Sequence, residues 1–304
     1  MAPIITMRGV LQLLRPIPLL VWSLPTIGFG FFLESGRPSA HVMLATVLAA
    51  LGAIVLQGLI THGLNDVYDW QSGTDQISVG VISGGSKVLA DGLLNILGII
   101  TVVRWAVVLY GGLAVGMVIL RGWGGLVWAL VALWGSVAYS VPPLRLSYRP
   151  LGEWGALLPA MVGGVMLGGM AKNPHPAVGL YVGAAWFGFY CMASVMQHHL
   201  SDVNADWQAR PQKRTTPAWY KHVRGRSPLE VILAYELLAL TVAGFGMTFR
   251  LHGSEGWTIV SILAFIITAT TTPNASVQEL TIRDIGLKML VLGALASAML
   301  GGLL

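Results

Sequence analysis

The sequence predicts an all-α polytopic membrane protein, a bundle of about nine transmembrane helices around a central cavity. Three observations carry this reading. Of the 304 residues 55% are hydrophobic and only 10% charged, whereas a soluble globular domain carries about 25% charged residues. Apolar stretches of the roughly 20 residues that span a bilayer recur along the whole chain. The long polar segments, with nearly all the acidic clusters, fall on one side of the bundle those stretches define.

The expected spans are 16–34, 41–64, 94–120, 124–140, 151–171, 177–200, 227–250, 256–272 and 284–304. Nothing in the composition marks off a soluble region, so residues 1–304 are read as one membrane-embedded domain, with halves of about 1–150 and 151–304. The first span holds Pro16, Pro18 and Pro25 and is expected to be kinked. No small-residue cleavage site follows it, so it is expected to stay rather than be removed as a signal peptide. The boundary between the third and fourth spans falls near Arg121-Gly122-Trp123-Gly124. Gly164 and Gly168, and likewise Gly293, Ser297 and Gly301, stand four apart and are expected to let helices approach closely inside the bundle. Arg104 lies within the third span, where an ionisable group usually faces the bundle interior, and Glu236 is its candidate partner.

With nine spans the connections alternate between two faces. One face carries twelve Lys and Arg, among them Arg8, Arg15, Lys87, Arg145, Arg149, Lys213 and Arg283, and the other carries Arg37, Arg121, Lys172 and Arg250. This asymmetry places the first face in the cytoplasm. The net charge of +5 is small and scattered, which argues against a nucleic-acid partner, and no required protein partner is evident in the sequence. The single cysteine, Cys191, excludes a disulfide framework and is expected to be a buried apolar residue.

Two acidic clusters lie on the predicted cytoplasmic face. The second span runs into GLNDVYDWQSGTD, residues 63–75. Asn65 and Asp69 are four apart and share a helix face. Asp66 adjoins them, and Asp75 can fold back if the helix stops at Gly73. Carboxylates at this spacing repel one another, so they need a cation or simply stand in water. Hard oxygen donors suit Mg²⁺, which prefers one or two carboxylates together with substrate phosphates. The sixth span ends in a second cluster, MQHHLSDVNADWQARPQKRTT, residues 196–216, where Asp202 and Asp206 repeat the spacing. The two clusters can face each other across a cavity. Lys213 follows the second cluster and Lys87, in SGGSKVLADG, follows the first. A departing diphosphate needs this combination of metal and positive charge, because its charge grows as the C–O bond breaks. In YSVPPLRLSYRPLGE, residues 139–153, Arg145 and Arg149 could reach phosphate, and Tyr139 and Tyr148 could line an acceptor site or shield a cation; the arginines could equally serve topology alone. His198 or His199, one turn before Asp202, could act as a base.

These residues resemble the UbiA-type intramembrane prenyltransferases. Arg15-Pro16 with Pro25 and Gly28 looks like that family's first-helix signature, NDVYDWQSGTD is similar to its first aspartate motif, and DVNAD with KRT is similar to the second. Gly73-x-Asp75 and SGGSKVLADGLL look like the branch that prenylates 1,4-dihydroxy-2-naphthoate in menaquinone biosynthesis. The resemblance implies that Asn65, Asp69 and Asp75, with Asp66 in support, hold one Mg²⁺ and that Asp202 and Asp206 hold a second. It implies that Lys87, Arg145 and Lys213 contact a polyprenyl diphosphate, and that a small aromatic acceptor attacks the allylic cation. Two departures stand out: six residues, WQARPQ, separate Asp206 from Lys213, where the family usually has a shorter run, and His198-His199 stand where the naphthoate branch often has asparagines. Alternatives from the residues are a membrane terpene cyclase of the same fold, another acceptor, and a transporter of a phosphorylated solute.

Overall fold

The computed structural model describes residues 2–37, 39–78, 84–272 and 274–301. Nine helical rods, labelled here α1 to α9, make up the bundle among these residues. They are α1 (Pro16–Leu33), α2 (Ala40–Ser72), α3 (Ile96–Arg121), α4 (Trp123–Ser140), α5 (Gly152–Lys172), α6 (Val178–Gln208), α7 (Leu229–Thr248), α8 (Ser254–Ala269) and α9 (Val277–Gly301). The first seven are long and apolar enough to cross a membrane, two fewer than expected. α8 has only 16 residues, and α9 begins with a charged turn containing Glu279, Arg283, Asp284 and Lys288. Residues 302–304 of the ninth expected span lie outside the described residues.

Each rod packs against its successor, and α9 returns to α1, so the ring closes. α1 also packs along α5. At that crossing a Cβ on Gly30 would lie 1.9 Å from the Val165 carbonyl oxygen, and one on Gly168 would lie 2.0 Å from that of Ile27. Only glycine lets the two backbones meet, and such contact is how helices associate in lipid, where burying apolar surface adds little. Large apolar side chains such as Ile119 and Trp105 point outward. The described interior holds three apolar clusters, one largely from α2–α4, one around Phe29, Trp186, Phe187 and Trp257, and a smaller one around Met192, Met196 and Ile232. Cys191 is buried in the second, as expected.

Four local features differ from, or sharpen, the sequence expectation. Gly122, at φ 81, separates α3 from α4 within the expected boundary. α2 continues to Ser72, well past its apolar stretch, so Asn65, Asp66 and Asp69 ride on a continuous rod. α1 and α2 each contain a π-helical stretch, Leu19–Ser23 and Val55–Thr61; Ser23 Oγ on one donates to Gln57 Oε1 on the other, and both stretches line the central cavity. Arg104 faces outward rather than inward, two turns from the start of α3, where a long side chain can bring its charge to the interface. Its expected partner Glu236 instead accepts from Thr268 Oγ1 at 2.6 Å.

Candidate active site

The last turns of α2 present three polar side chains to the bundle axis. Asp66 is buried and forms an ion pair with Arg15, at the entrance to α1. It also accepts the Ser86 backbone N–H at 3.1 Å and the Ser86 hydroxyl. Asp69 accepts from Asn65 Nδ2 at 2.5 Å and from Tyr148 OH at 2.8 Å. Gly73, at φ 83, ends α2 in the left-handed conformation, and a short helical turn, Thr74–Ile77, carries Asp75 back toward the cluster. Asp75 meets a loop in which Gly84 and Gly85 both have positive φ; a Cβ on Gly85 would lie 2.2 Å from Asp75 Oδ2. Glycine is needed here both for the backbone angle and for the space. Burial, then the neighbouring Asp69 and Asp66, push the Asp75 carboxyl up to about 8, against the pull of Lys213 and Arg15.

The second cluster closes the other side. A single 3₁₀ turn, Leu200–Asp202, re-aims the end of α6. Asp202 accepts a hydrogen bond from Ser78 Oγ, beyond the first cluster. Asp206 has no solvent exposure, accepts from Thr215 Oγ1 at 2.9 Å, and lies 3.7 Å from both His199 Nδ1 and Lys213 Nζ. The six-residue run before Lys213 is sewn into the site by backbone hydrogen bonds: Arg210 N–H to Ser72 O at 2.8 Å, Lys213 N–H to Asp206 O at 3.0 Å and Arg214 N–H to Tyr148 O at 3.3 Å. The Lys213 ammonium thereby lies between the halves, 2.7 Å from Asp69 Oδ2. Burial disfavours its charge, but Asp69 and Asp206 outweigh that and hold its pKa well above the usual lysine range.

The structure brings Asn65, Asp66, Asp69, Asp75, Asp202, Asp206 and Lys213 together, and places several other expected site residues differently. Arg145 stacks over Tyr68 at 4.8 Å and Tyr148 at 5.3 Å. Tyr148 does not line the cavity; its hydroxyl braces Asp69 and lies 2.9 Å from Ser72 Oγ, and burial raises its phenol. Arg149 is exposed and donates to the Pro143 carbonyl at 2.9 Å, so it stays outside the cluster: its own loop satisfies the guanidinium. Lys87 borders a small recess with Asp66, Asp75 and Gly84. Tyr139 lines the cavity, its hydroxyl 3.2 Å from His199 Nε2. His198 turns away from both aspartate clusters to Asp284 and Lys288 of α9. Sequence reasoning missed Arg15, Ser86, Ser78 and Thr215 as partners of the carboxylates, and Asp284 altogether. The signals that could have found them were Arg15-Pro16, Ser86 within SGGSKVLADG and Thr215 within KRT.

A cavity of about 640 Å³ opens from this cluster. Its polar lining includes Arg15, Gln57, His62, Asn65, Tyr139, His198, His199 and Lys288, and most of the remainder is apolar side chains such as Trp22, Leu56 and Leu167.

The donor set fits a hard divalent cation. The carboxylates are buried, their donors are oxygens, and Asp206 Oδ1 is buried without a hydrogen-bond donor. Among the described residues, no three His, Cys, Asp or Glu side chains form a ready-made metal site; Arg15 and Lys213 hold carboxylates apart as ion-pair partners. Mg²⁺ takes only one or two carboxylates when substrate phosphates supply the remainder, so a preformed cage is not required.

This architecture is an all-helical, UbiA-like membrane fold. A UbiA homolog from Archaeoglobus fulgidus bound to GPP and Mg²⁺ matches it with a TM-score of 0.67 at 17% identity, covering 95% of this chain and 99% of that one. The apo structure of a UbiA homolog from Aeropyrum pernix K1 also matches with a TM-score of 0.67, at 14% identity over 93% and 98% of the two chains. In sequence, the chain is 24% identical over 266 residues to a lycopene elongase/hydratase from Corynebacterium glutamicum, covering 86% of this chain and 84% of the relative. No protein-family model matches.

Proposed function

We propose that this protein transfers a prenyl group from an allylic diphosphate to a carbon–carbon double bond of a long apolar isoprenoid, with residues 1–304 acting as one catalytic domain. The observation that carries the proposal is the joining of the two aspartate clusters by Lys213 beside a largely apolar cavity. The fold shared with a homolog bound to GPP and Mg²⁺ supports the donor and the metal. The likeness to a lycopene elongase/hydratase supports an extended hydrocarbon acceptor.

Asn65, Asp69 and Asp75 would hold one Mg²⁺, and Asp202 and Asp206 a second. Bound there, Mg²⁺ would stabilise the negative charge of the leaving diphosphate. Lys213, between Asp69 and Asp206, is placed to turn its ammonium to the same charge, and Arg15 and Lys87 flank it. The C–O bond breaks with its electron pair leaving on diphosphate. The allylic cation forms facing the apolar cavity, away from the water that would quench it. The acceptor's π electrons then form the new C–C bond. Tyr139 is on the cavity wall, where an aromatic ring would stabilise the positive charge. The positive-inside asymmetry of the sequence supports a site that faces the cytoplasm.

A second reading keeps the donor half and changes the acceptor to 1,4-dihydroxy-2-naphthoate; it rests on the SGGSKVLADG and NDVYDWQSGTD segments. The test is a product assay by mass spectrometry on purified protein with Mg²⁺ and dimethylallyl or geranyl diphosphate. Each reaction receives lycopene, the naphthoate, or no acceptor. Prenylated lycopene that vanishes with EDTA supports the proposal. A prenylated naphthoquinol supports the second reading, and a terpene formed without acceptor overturns both.

A further inference from the structure

His198 belongs to a third polar cluster, apart from the diphosphate end of the cavity. Its Nδ1 lies 2.9 Å from Asp284 Oδ2 on α9. Lys288, one turn further along α9, forms an ion pair with the same oxygen, and its Nζ is 3.5 Å from His198 Nδ1. Asp284 is 2% exposed, and its Oδ1 is buried without a hydrogen-bond donor. His198, by contrast, keeps 29% of its side chain open. His198 and Lys288 line the cavity beside Ile285 and Met289. The neighbouring His199 serves the other end, reaching Asp206 and Tyr139, with its ring centre 6.1 Å from that of His198.

A carboxylate, an imidazole and an ammonium set into the wall of an apolar cavity are costly, and in a membrane protein such groups mark function. The geometry here is that of an oriented base. The Asp284 contact orients the ring, and in the tautomer whose Nδ1–H donates to Asp284 Oδ2 the Nε2 lone pair is free. Lys288 pairs with the same Asp284 oxygen and offsets its negative charge. The Mg²⁺ and diphosphate chemistry proposed above does not use this cluster. That chemistry nevertheless leaves one step unassigned: C–C bond formation puts a tertiary cation on the acceptor, and the cation must lose a proton or gain water.

We propose that His198 Nε2, oriented by Asp284, is the base that resolves this acceptor cation. The inference rests on the prenyl-transfer reading. In one route a C–H beside the cation gives its proton to Nε2, and its electron pair becomes the new C=C bond. In the other, water attacks the cation, its lone pair forms the C–O bond, and the water proton passes to Nε2, giving an alcohol. Either way the proton leaves His198 to solvent before the next turnover. Asp284 acts as a positioning residue, through His198.

The experiment measures the ratio of prenylated product to diphosphate released, with Mg²⁺, dimethylallyl diphosphate and lycopene, for wild type, His198→Gly, His198→Gln and Asp284→Asn. Base catalysis contributes about 10²- to 10⁴-fold, so His198→Gly is expected to lower this ratio about 100-fold: the unresolved acceptor cation reverts by breaking the new C–C bond, and water captures the regenerated allylic cation as dimethylallyl alcohol, losing a proton to solvent. Added imidazole is expected to restore part of the ratio in His198→Gly only. Asp284→Asn should lower the ratio less than His198→Gly does. Gel filtration and Tm identify folded variants, and His198→Gln serves if the glycine variant unfolds. Mass spectrometry separates alkene from alcohol products and so distinguishes the two routes. An unchanged ratio and unchanged product pattern in folded His198→Gly and His198→Gln overturn the base assignment alone. A wild type that releases no diphosphate in a Mg²⁺-dependent manner overturns the prenyl-transfer reading, and the base assignment with it.

Discussion

Lys213 Nζ lies 2.7 Å from Asp69 Oδ2, across 144 residues of sequence, and 3.7 Å from Asp206 Oδ1. One buried ammonium therefore holds a carboxylate from each aspartate cluster. Removing it leaves two buried negative charges facing each other. Breaking a buried pair by deleting one partner costs about 3–5 kcal/mol. Lys213→Met is expected to lower Tm and to cut turnover about 10²- to 10³-fold, the scale of losing one charge-stabilising group at a reaction centre. Lys213→Met with Asp69→Asn is expected to recover much of the Tm and none of the activity. Thermal scans and initial rates on the two variants check this; equal Tm for wild type and Lys213→Met would show the pair to be energetically idle.

Asp75 makes cation binding pH-dependent. Its carboxyl is raised from 3.8 to about 8 in the folded protein, first by burial and then by Asp69 and Asp66. The folded state therefore holds a proton that the unfolded state has lost, and between about pH 4 and 8 the stability of the metal-free protein falls as pH rises. Mg²⁺ must displace that proton. Its apparent affinity should rise by up to about tenfold per pH unit toward pH 8 and then level off. Titrations of Mg²⁺ at pH 6, 7 and 8 measure the slope, and Asp75→Asn should flatten it. A steep slope retained in that variant would assign the proton to another group.

Gly85 tests how tightly the first cluster is built. Alanine there meets Asp75 Oδ2 at 2.2 Å and a φ of +74, whereas alanine at Gly92 meets a φ of +65 with nothing within 4 Å. Gly92→Ala isolates the cost of the backbone angle, about 1–3 kcal/mol for a strained residue. Gly85→Ala should cost as much or more in stability and should also weaken Mg²⁺-dependent diphosphate release by at least about tenfold. Similar catalytic behaviour in the two variants would mean that Asp75 does not need its present position.

The two arginines of the 139–153 segment should separate in kinetics. Arg145 lies over Tyr68 and Tyr148, which braces Asp69, and Arg149 is exposed. Arg145→Ala is expected to raise KM for the diphosphate about tenfold, and Arg149→Ala to change kcat/KM less than about twofold. Steady-state kinetics with geranyl diphosphate decide it; the reverse order would place Arg149 in the site.

Much of the site was legible in the sequence because it is encoded at helical spacing. Asn65 and Asp69 share a face by periodicity, and the Gly73 stop was visible as a glycine between polar residues. The apolar stretches similarly set the order and approximate bounds of the helices, although the charged start of α9 and the shortness of α8 blurred the count of spans. Arg149 shows where this reasoning ends: its loop position resembled that of Arg145, yet a local carbonyl took up its guanidinium.

What the sequence determined alone was local: apolar length, helix faces, and the two acidic motifs with a cation after each. The tertiary structure decided which of these groups meet. Lys213 reaches Asp69 because backbone hydrogen bonds fold the 209–216 run onto the end of α2 and the 139–153 loop. His198 belongs to Asp284, 86 residues away, because α9 packs against both α6 and α1. Long-range partners of this kind leave no periodic trace, since they depend on how the ring of helices closes rather than on the spacing within any one of them.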